Sequence, residues 1–286
     1  MEWRGRRESS NIEDRRGGGG GGGPIRIGGI GVIVVLLVGA FFGIDTSGLL
    51  DDGSGGGYQQ SAGSGPNTVD DETEQFVSVV LAQTEDVWGP MFQQSGLTYT
   101  DPKLVLFSGV TRSACGAAQS AMGPFYCPND KKVYLDTDFF RVMRQQLGGG
   151  GEFAQAYVIA HEVGHHVQDE LGVLSQVNTQ RGRVSEAASN ALSVKVELQA
   201  DCYAGLWAKQ SGARGAQGLV LSDADIRSAL DTAAAIGDDA LQKASQGYAV
   251  PDSFTHGTSK QRQEWFYRGY KTGDPGQCDT FSAASL

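Results

Sequence analysis

Several changes in the spacing of apolar and polar positions along this chain mark candidate elements. Residues 70–92, "DDETEQFVSVVLAQTEDVWGPMF", open with acids and then carry apolar side chains at helical intervals, which predicts a first helix. "KLVLFSG" (103–109) is a short β-rich run ended by glycine, the pattern of a strand. A second strand is expected over Lys132–Asp136, running into a helix near Asp138. Glycines 148–151 interrupt the chain. Phe153–Leu171 then reads as a helix, Arg183 to about Gln210 as a longer one, and Asp223–Ile236 as another, with Ser222 or Asp223 as its N-cap. Several helices and few strands imply a mainly helical α+β domain with a small antiparallel sheet.

Two stretches cannot contribute a core. Gly17–Gly23 is unbroken glycine and 53–65 is rich in glycine and serine, so neither has side chains to bury. Between them, Ile27–Ile44 ("IGGIGVIVVLLVGAFFGI") runs eighteen residues without a charge, the lower end of a membrane-crossing length. These features divide the chain into a basic, Gly-rich leader (1–26), a transmembrane anchor (27–44), a Gly/Ser-rich linker (45–69) and a folded domain (70–286). A cleaved secretory signal is the rival reading of the apolar segment, with Val38-Gly39-Ala40 as the small-residue cleavage site.

Charge then sets an orientation. Residues 1–44 hold six arginines against four acids, so the rest of the chain carries −12 of an overall −10. Arginines before the apolar segment and acids after it (Asp45, Asp51, Asp52) place the N-terminus in the cytoplasm and the domain outside, on a single-pass protein of the cell membrane. A body this acidic argues against nucleic acid as a partner, because phosphate would be repelled. The four cysteines, 115, 127, 202 and 278, contain no C-x2-C pair, which argues against a structural zinc site. Outside the cytoplasm an even count reads as two disulfides. Cys115 and Cys127 are close across a loop containing glycine and proline and are expected to pair; Cys202–Cys278 follows by elimination.

The chemistry concentrates in "AYVIAHEVGHHVQDELG" (156–172). On a helix, His161 and His165 project from one face and can bind one metal ion, with Glu162 beside them. This is the H-E-x-x-H arrangement, in which neutral imidazoles hold zinc and the glutamate takes a proton from metal-activated water. His166 lies too far round to join. Positions 168 and 171 are Gln and Leu, so a third histidine ligand from this helix is excluded. "VELQADCYAG" (196–205) supplies a carboxylate instead: Glu197 as third ligand, with Asp201 one turn on to accept the outward N–H of a ligand histidine. Small residues there (Ala200, Ala204, Gly205) would let this helix approach the first closely.

With these residues in place, the sequence resembles the gluzincin-type metallopeptidases, and in detail the bacterial neutral zinc metallopeptidases with an N-terminal membrane anchor. The matching stretches are "CGAAQSAMGPFYCPNDKKVYLD" (115–136), "AYVIAHEVGHHVQ" (156–168), "ELQADCYAGLWA" (197–208), "DSFTHGTSKQRQEWFYRGY" (252–270) and "GDPGQCDTF" (273–281). The likeness spans 70–286 and implies a zincin-like domain, a Zn2+ cofactor and a peptide or protein substrate. It also suggests His256 as a donor to the oxyanion of the tetrahedral intermediate, although a turn- or helix-capping role fits that residue equally; Arg262 and Tyr267 are weaker candidates. Val133–Leu135 is a candidate sheet edge for docking an extended peptide. The expected function is zinc-dependent peptide hydrolysis with Glu162 as general base. The alternatives are a non-catalytic zinc-binding envelope protein and a zinc hydrolase of a non-peptide amide.

Overall fold

A computed structural model of the chain describes residues 1–16, 71–119, 123–146, 151–283 and 286. The apolar segment 27–44 and the linker 45–69 lie outside the described residues. Among those described, no helix is long and apolar enough to cross a membrane.

The core is built on two helices, α3 (Glu152–Glu170) and α5 (Glu186–Ala213). They are flanked by α1 (Glu72–Gln94), α6 (Asp223–Ala235) and α8 (Ser259–Thr272). Side-chain caps fix several starts: Asp71 accepts from the Glu74 amide, Ser185 from Ala188, and Ser222 and Thr258 form capping boxes with Asp225 and Gln261. Three helices escape the sequence pattern: α4 (Val173–Arg181), α7 (Asp238–Gln246) and α8. The buried face of α8 is Arg262, Trp265, Phe266 and Gly269. Its spacing is helical, but an arginine and a glycine disguise it.

The sheet is mixed, contrary to the antiparallel expectation. Its order is β1 (Ile12–Asp14), β2 (Lys103–Phe107), β6 (Lys132–Asp136), β5 (Phe125–Cys127); only β5–β6 is antiparallel. The long connection between β2 and β6 makes their parallel pairing possible. It includes an antiparallel hairpin of β3 (Val110–Ser113) and β4 (Gly116–Gln119), and also β5. Strands β2 and β6 are buried almost throughout, as their unbroken apolar runs require of central strands. Val133–Leu135 is therefore interior to the sheet; the edges are β1 and β5. From Asp136 the chain turns directly into α2 (Thr137–Gln146).

The leader also differs from expectation, because its first sixteen residues belong to the fold. Trp3 is buried edge-on against Phe76 of α1, and Ile12–Asp14 extend the sheet as β1. The folded unit is thus wider than 70–286. Both expected disulfides are present, Cys115–Cys127 and Cys202–Cys278, and there are no free cysteines among the described residues. The second ties the C-terminal segment to α5.

Close helix approach has a specific origin. A Cβ on Gly164 would stand 3.1 Å from the Ala200 carbonyl oxygen, so α3 and α5 touch backbone to backbone beside the histidine motif. Gly205 faces elsewhere than expected. A Cβ there would lie 1.9 Å from the Phe266 oxygen, and one on Gly269 1.9 Å from the Cys202 oxygen, so this glycine pair serves the α5–α8 crossing.

Candidate metal centre

Helical spacing on α3 puts His161 and His165 on one face, their rings 4.8 Å apart and edge to face. Opposite them stands Glu197 of α5. Its Oε2 is 3.1 Å from His161 Nε2, and its Oε1 is 3.5 Å from His165 Nε2. One ligand atom from each of the three residues falls within 4.8 Å of the others. No other comparable His/Cys/Asp/Glu cluster occurs among the described residues.

The other ring nitrogens explain why these atoms converge. His161 Nδ1 is 2.8 Å from Asp201 Oδ1, and His165 Nδ1 is 2.8 Å from Gln168 Oε1. Each acceptor draws the Nδ1 proton, which leaves Nε2 of both rings directed at the Glu197 carboxylate. Gln168 is itself held, its Nε2 donating to the Val196 carbonyl at 2.8 Å and to Gln199 Oε1 at 3.0 Å. Two imidazoles and a carboxylate, all largely buried and with fixed tautomers, match the donor set of a catalytic zinc site.

Asp201 is buried with two polar partners besides His161: Tyr157 donates to Oδ1 at 2.6 Å, and Arg262 donates to Oδ2 at 2.8 Å and to Oδ1 at 3.0 Å. Burial alone would raise its carboxyl, but Arg262 and His161 bring it down to about 2. Burial alone would likewise lower His161; Asp201 and Glu197 outweigh it and raise the imidazole to about 10 in the metal-free chain. Glu197 is held well below the ordinary carboxylate range by His165, His161 and His256, against the desolvation that would raise it. Glu162 behaves oppositely. Desolvation raises its carboxyl, and the neighbouring histidines only partly offset that.

His256 lies on the loop between α7 and α8, close enough to contribute to the charge balance of Glu197. Asp238, at the start of α7, organises that loop. Its Oδ2 accepts the amides of Thr255, His256 and Gly257 at 2.8, 2.7 and 3.0 Å, and its Oδ1 is 3.1 Å from His256 Nδ1. His166 points away from the centre, between the Tyr126 hydroxyl (3.1 Å) and the Thr100 carbonyl (2.6 Å). Tyr267 is exposed.

Sequence reasoning missed Gln168, Tyr157 and Asp238, and the pairing of Arg262 with Asp201. The i, i+3 relation of His165 to Gln168 was a usable signal. Arg262 and Asp238 come from distant segments and had none.

The site is therefore a two-helix His161/His165/Glu197 group that could hold a metal ion. The chain belongs to the family described as "Putative neutral zinc metallopeptidase", whose profile matches residues 1–281. The likeness thus extends through the N-terminal segment, beyond the 70–286 that the motifs alone suggested. Among similar proteins, the uncharacterised YpfJ of Escherichia coli K12 is 50% identical over 289 residues, covering 98% of this chain and 99% of the relative. The uncharacterised Mb2605 of Mycobacterium bovis and Rv2575 of Mycobacterium tuberculosis H37Rv are each 51% identical over 207 residues, covering 70% of this chain and 68% of theirs. No solved structure matches.

Proposed function

We propose that this protein is a zinc-dependent endopeptidase. The observation that carries the reading is the convergence of His161 Nε2, His165 Nε2 and the Glu197 carboxylate, each ring fixed from behind by Asp201 or Gln168. A zinc ion held by these three would acidify a water and polarise a peptide carbonyl. Glu162, adjacent to His161 and buried, would serve as the general base, its carboxylate taking a proton from the attacking water and passing it to the departing amine. Desolvation suits it to both steps, since a raised carboxyl holds the proton more readily between them. His256, its Nδ1 against Asp238, donates from its ring to the carbonyl oxygen as negative charge develops there. The substrate is a peptide or an unfolded protein, and nucleic acid is not a partner.

The test is zinc content and digestion of an unfolded protein by purified full-length chain, with and without chelator. Glu162→Gln should retain zinc while hydrolysis falls by at least about a hundredfold. Glu197→Ala should lose both, whereas Glu186→Ala, at the exposed start of α5, should keep both. Undiminished hydrolysis in Glu162→Gln rejects the mechanism.

A further inference from the structure

Glu85 of α1 is a buried acid, its side chain 7% exposed. The groups that bond its carboxylate come from the first sixteen residues: Arg7 at 2.8 Å, Asn11 at 2.9 Å, and the Ser9 hydroxyl. A buried carboxylate needs such partners, and for Glu85 this segment supplies both the counter-charge and the hydrogen bonds. The same dependence recurs along the segment. Trp3 fills a core site against Phe76, and β1 pairs in parallel with β2 over three residues. Glu13 meets Lys132 at 2.7 Å. The segment is a structural part of the domain.

Its far end is clamped beside the start of α1. Arg16 is 10% exposed and bonds Asp14 at 2.7 Å and Asp71, the α1 N-cap, at 3.0 Å. Arg16 and Asp71 therefore stand side by side in the fold. The apolar run Ile27–Ile44 lies between these two residues in sequence. A single crossing would put them on opposite faces of a hydrocarbon layer about 30 Å thick. Docking and a single crossing are mutually exclusive. Exchange of the segment between copies does not remove the conflict, because every copy inserted in the same sense would hold its own segment across the bilayer.

We infer that residues 1–16 and the domain from Asp71 onward lie on the same side of the membrane. This replaces the orientation expected from charge. Four of the six arginines that suggested a cytoplasmic N-terminus are paired with acids within the fold: Arg4 with Glu72, Arg7 with Glu85 and Asp86, Arg15 with Glu13, and Arg16 with Asp14 and Asp71. Charges neutralised in this way are a poor retention signal. The family profile begins at residue 1, as expected for a segment belonging to the domain. The inference is independent of the peptidase reading.

The test uses two variants of the full chain in cells, Glu8→Cys and Ala244→Cys, each adding one free thiol at an exposed position beside the four paired native cysteines, with the parent chain as the unlabelled control. Each is treated with a membrane-impermeant maleimide, before and after lysis. Both thiols should behave alike in intact cells, either both labelled or both protected, and both should react after lysis. One labelled and the other protected overturns the inference. So does a mature chain from which residue 8 has been removed.

Discussion

Nε of Arg262 lies 2.8 Å from Oδ2 of Asp201, and both side chains are almost completely buried. This pair joins α8 to α5 directly behind the ligand-bearing face of α3, and it gives Asp201 two tasks. One oxygen fixes the His161 tautomer; together the two oxygens neutralise a buried guanidinium.

Asp201→Asn should therefore cost more than ligand orientation. Loss of the tautomer lock alone lowers zinc affinity by about 10- to 100-fold. The unpaired Arg262 should also destabilise the fold by about 3–5 kcal/mol. Adding Arg262→Met should restore much of the stability without restoring zinc affinity, because it removes the stranded charge and leaves His161 facing a neutral amide in place of an anionic acceptor. Chemical denaturation and zinc titration of the single and double variants check this. Acid should act through the same pair. The Asp201 carboxyl is held at about 2, against about 3.9 when unfolded, so its contribution is present above about pH 4 and is lost as pH falls toward 2. That contribution is on the order of 2 kcal/mol. Metal-free parent protein should lose it over this window, and the Asn variant should not.

Metal uptake should release protons. His161 is raised to about 10 in the metal-free chain and His165 is raised as well, yet zinc binds only the neutral rings. At pH 7 binding then expels the His161 proton at least, so affinity should climb with pH through neutrality. Calorimetry in buffers of different ionisation enthalpy measures the number directly. Zinc binding with no proton release would show that the histidines are already neutral.

The two glycine contacts should separate fold from site. Gly269→Ala forces a Cβ to within 1.9 Å of a backbone oxygen, and backbone cannot step aside, so soluble folded protein should be largely lost. Gly164→Ala meets backbone and side-chain atoms of Ala200 at 3.1–3.3 Å, a contact that a few tenths of an ångström relieves. It should fold with modestly lowered stability and weakened zinc binding, because the displaced α5 carries Glu197. Thermal melts and zinc content of the two variants give the comparison.

The sequence by itself determined what is written locally. His161, Glu162 and His165 sit at fixed helical spacing, so forming α3 is enough to align them. Glu197 and Asp201 are again four apart, and the disulfide pairing followed from cysteine count and spacing. Helix periodicity and i, i+4 geometry are properties of neighbours in the chain. Tertiary structure decided what depends on distant segments meeting. A strand pattern gives the faces of a strand and not its partner, so the parallel β1–β2–β6 order and the interior position of Val133–Leu135 were invisible. The Gly-rich run after residue 16 made the leader look detached; its role emerges only where Trp3 meets Phe76 and Arg7, Ser9 and Asn11 surround Glu85. Arg262 stands sixty-one residues from Asp201, and Asp238 eighteen from His256, so neither pairing could be read before the helices packed. A buried charge needs a partner, and which one it gets is settled by the crossing of α5 and α8, set by two glycines that carry no chemistry of their own.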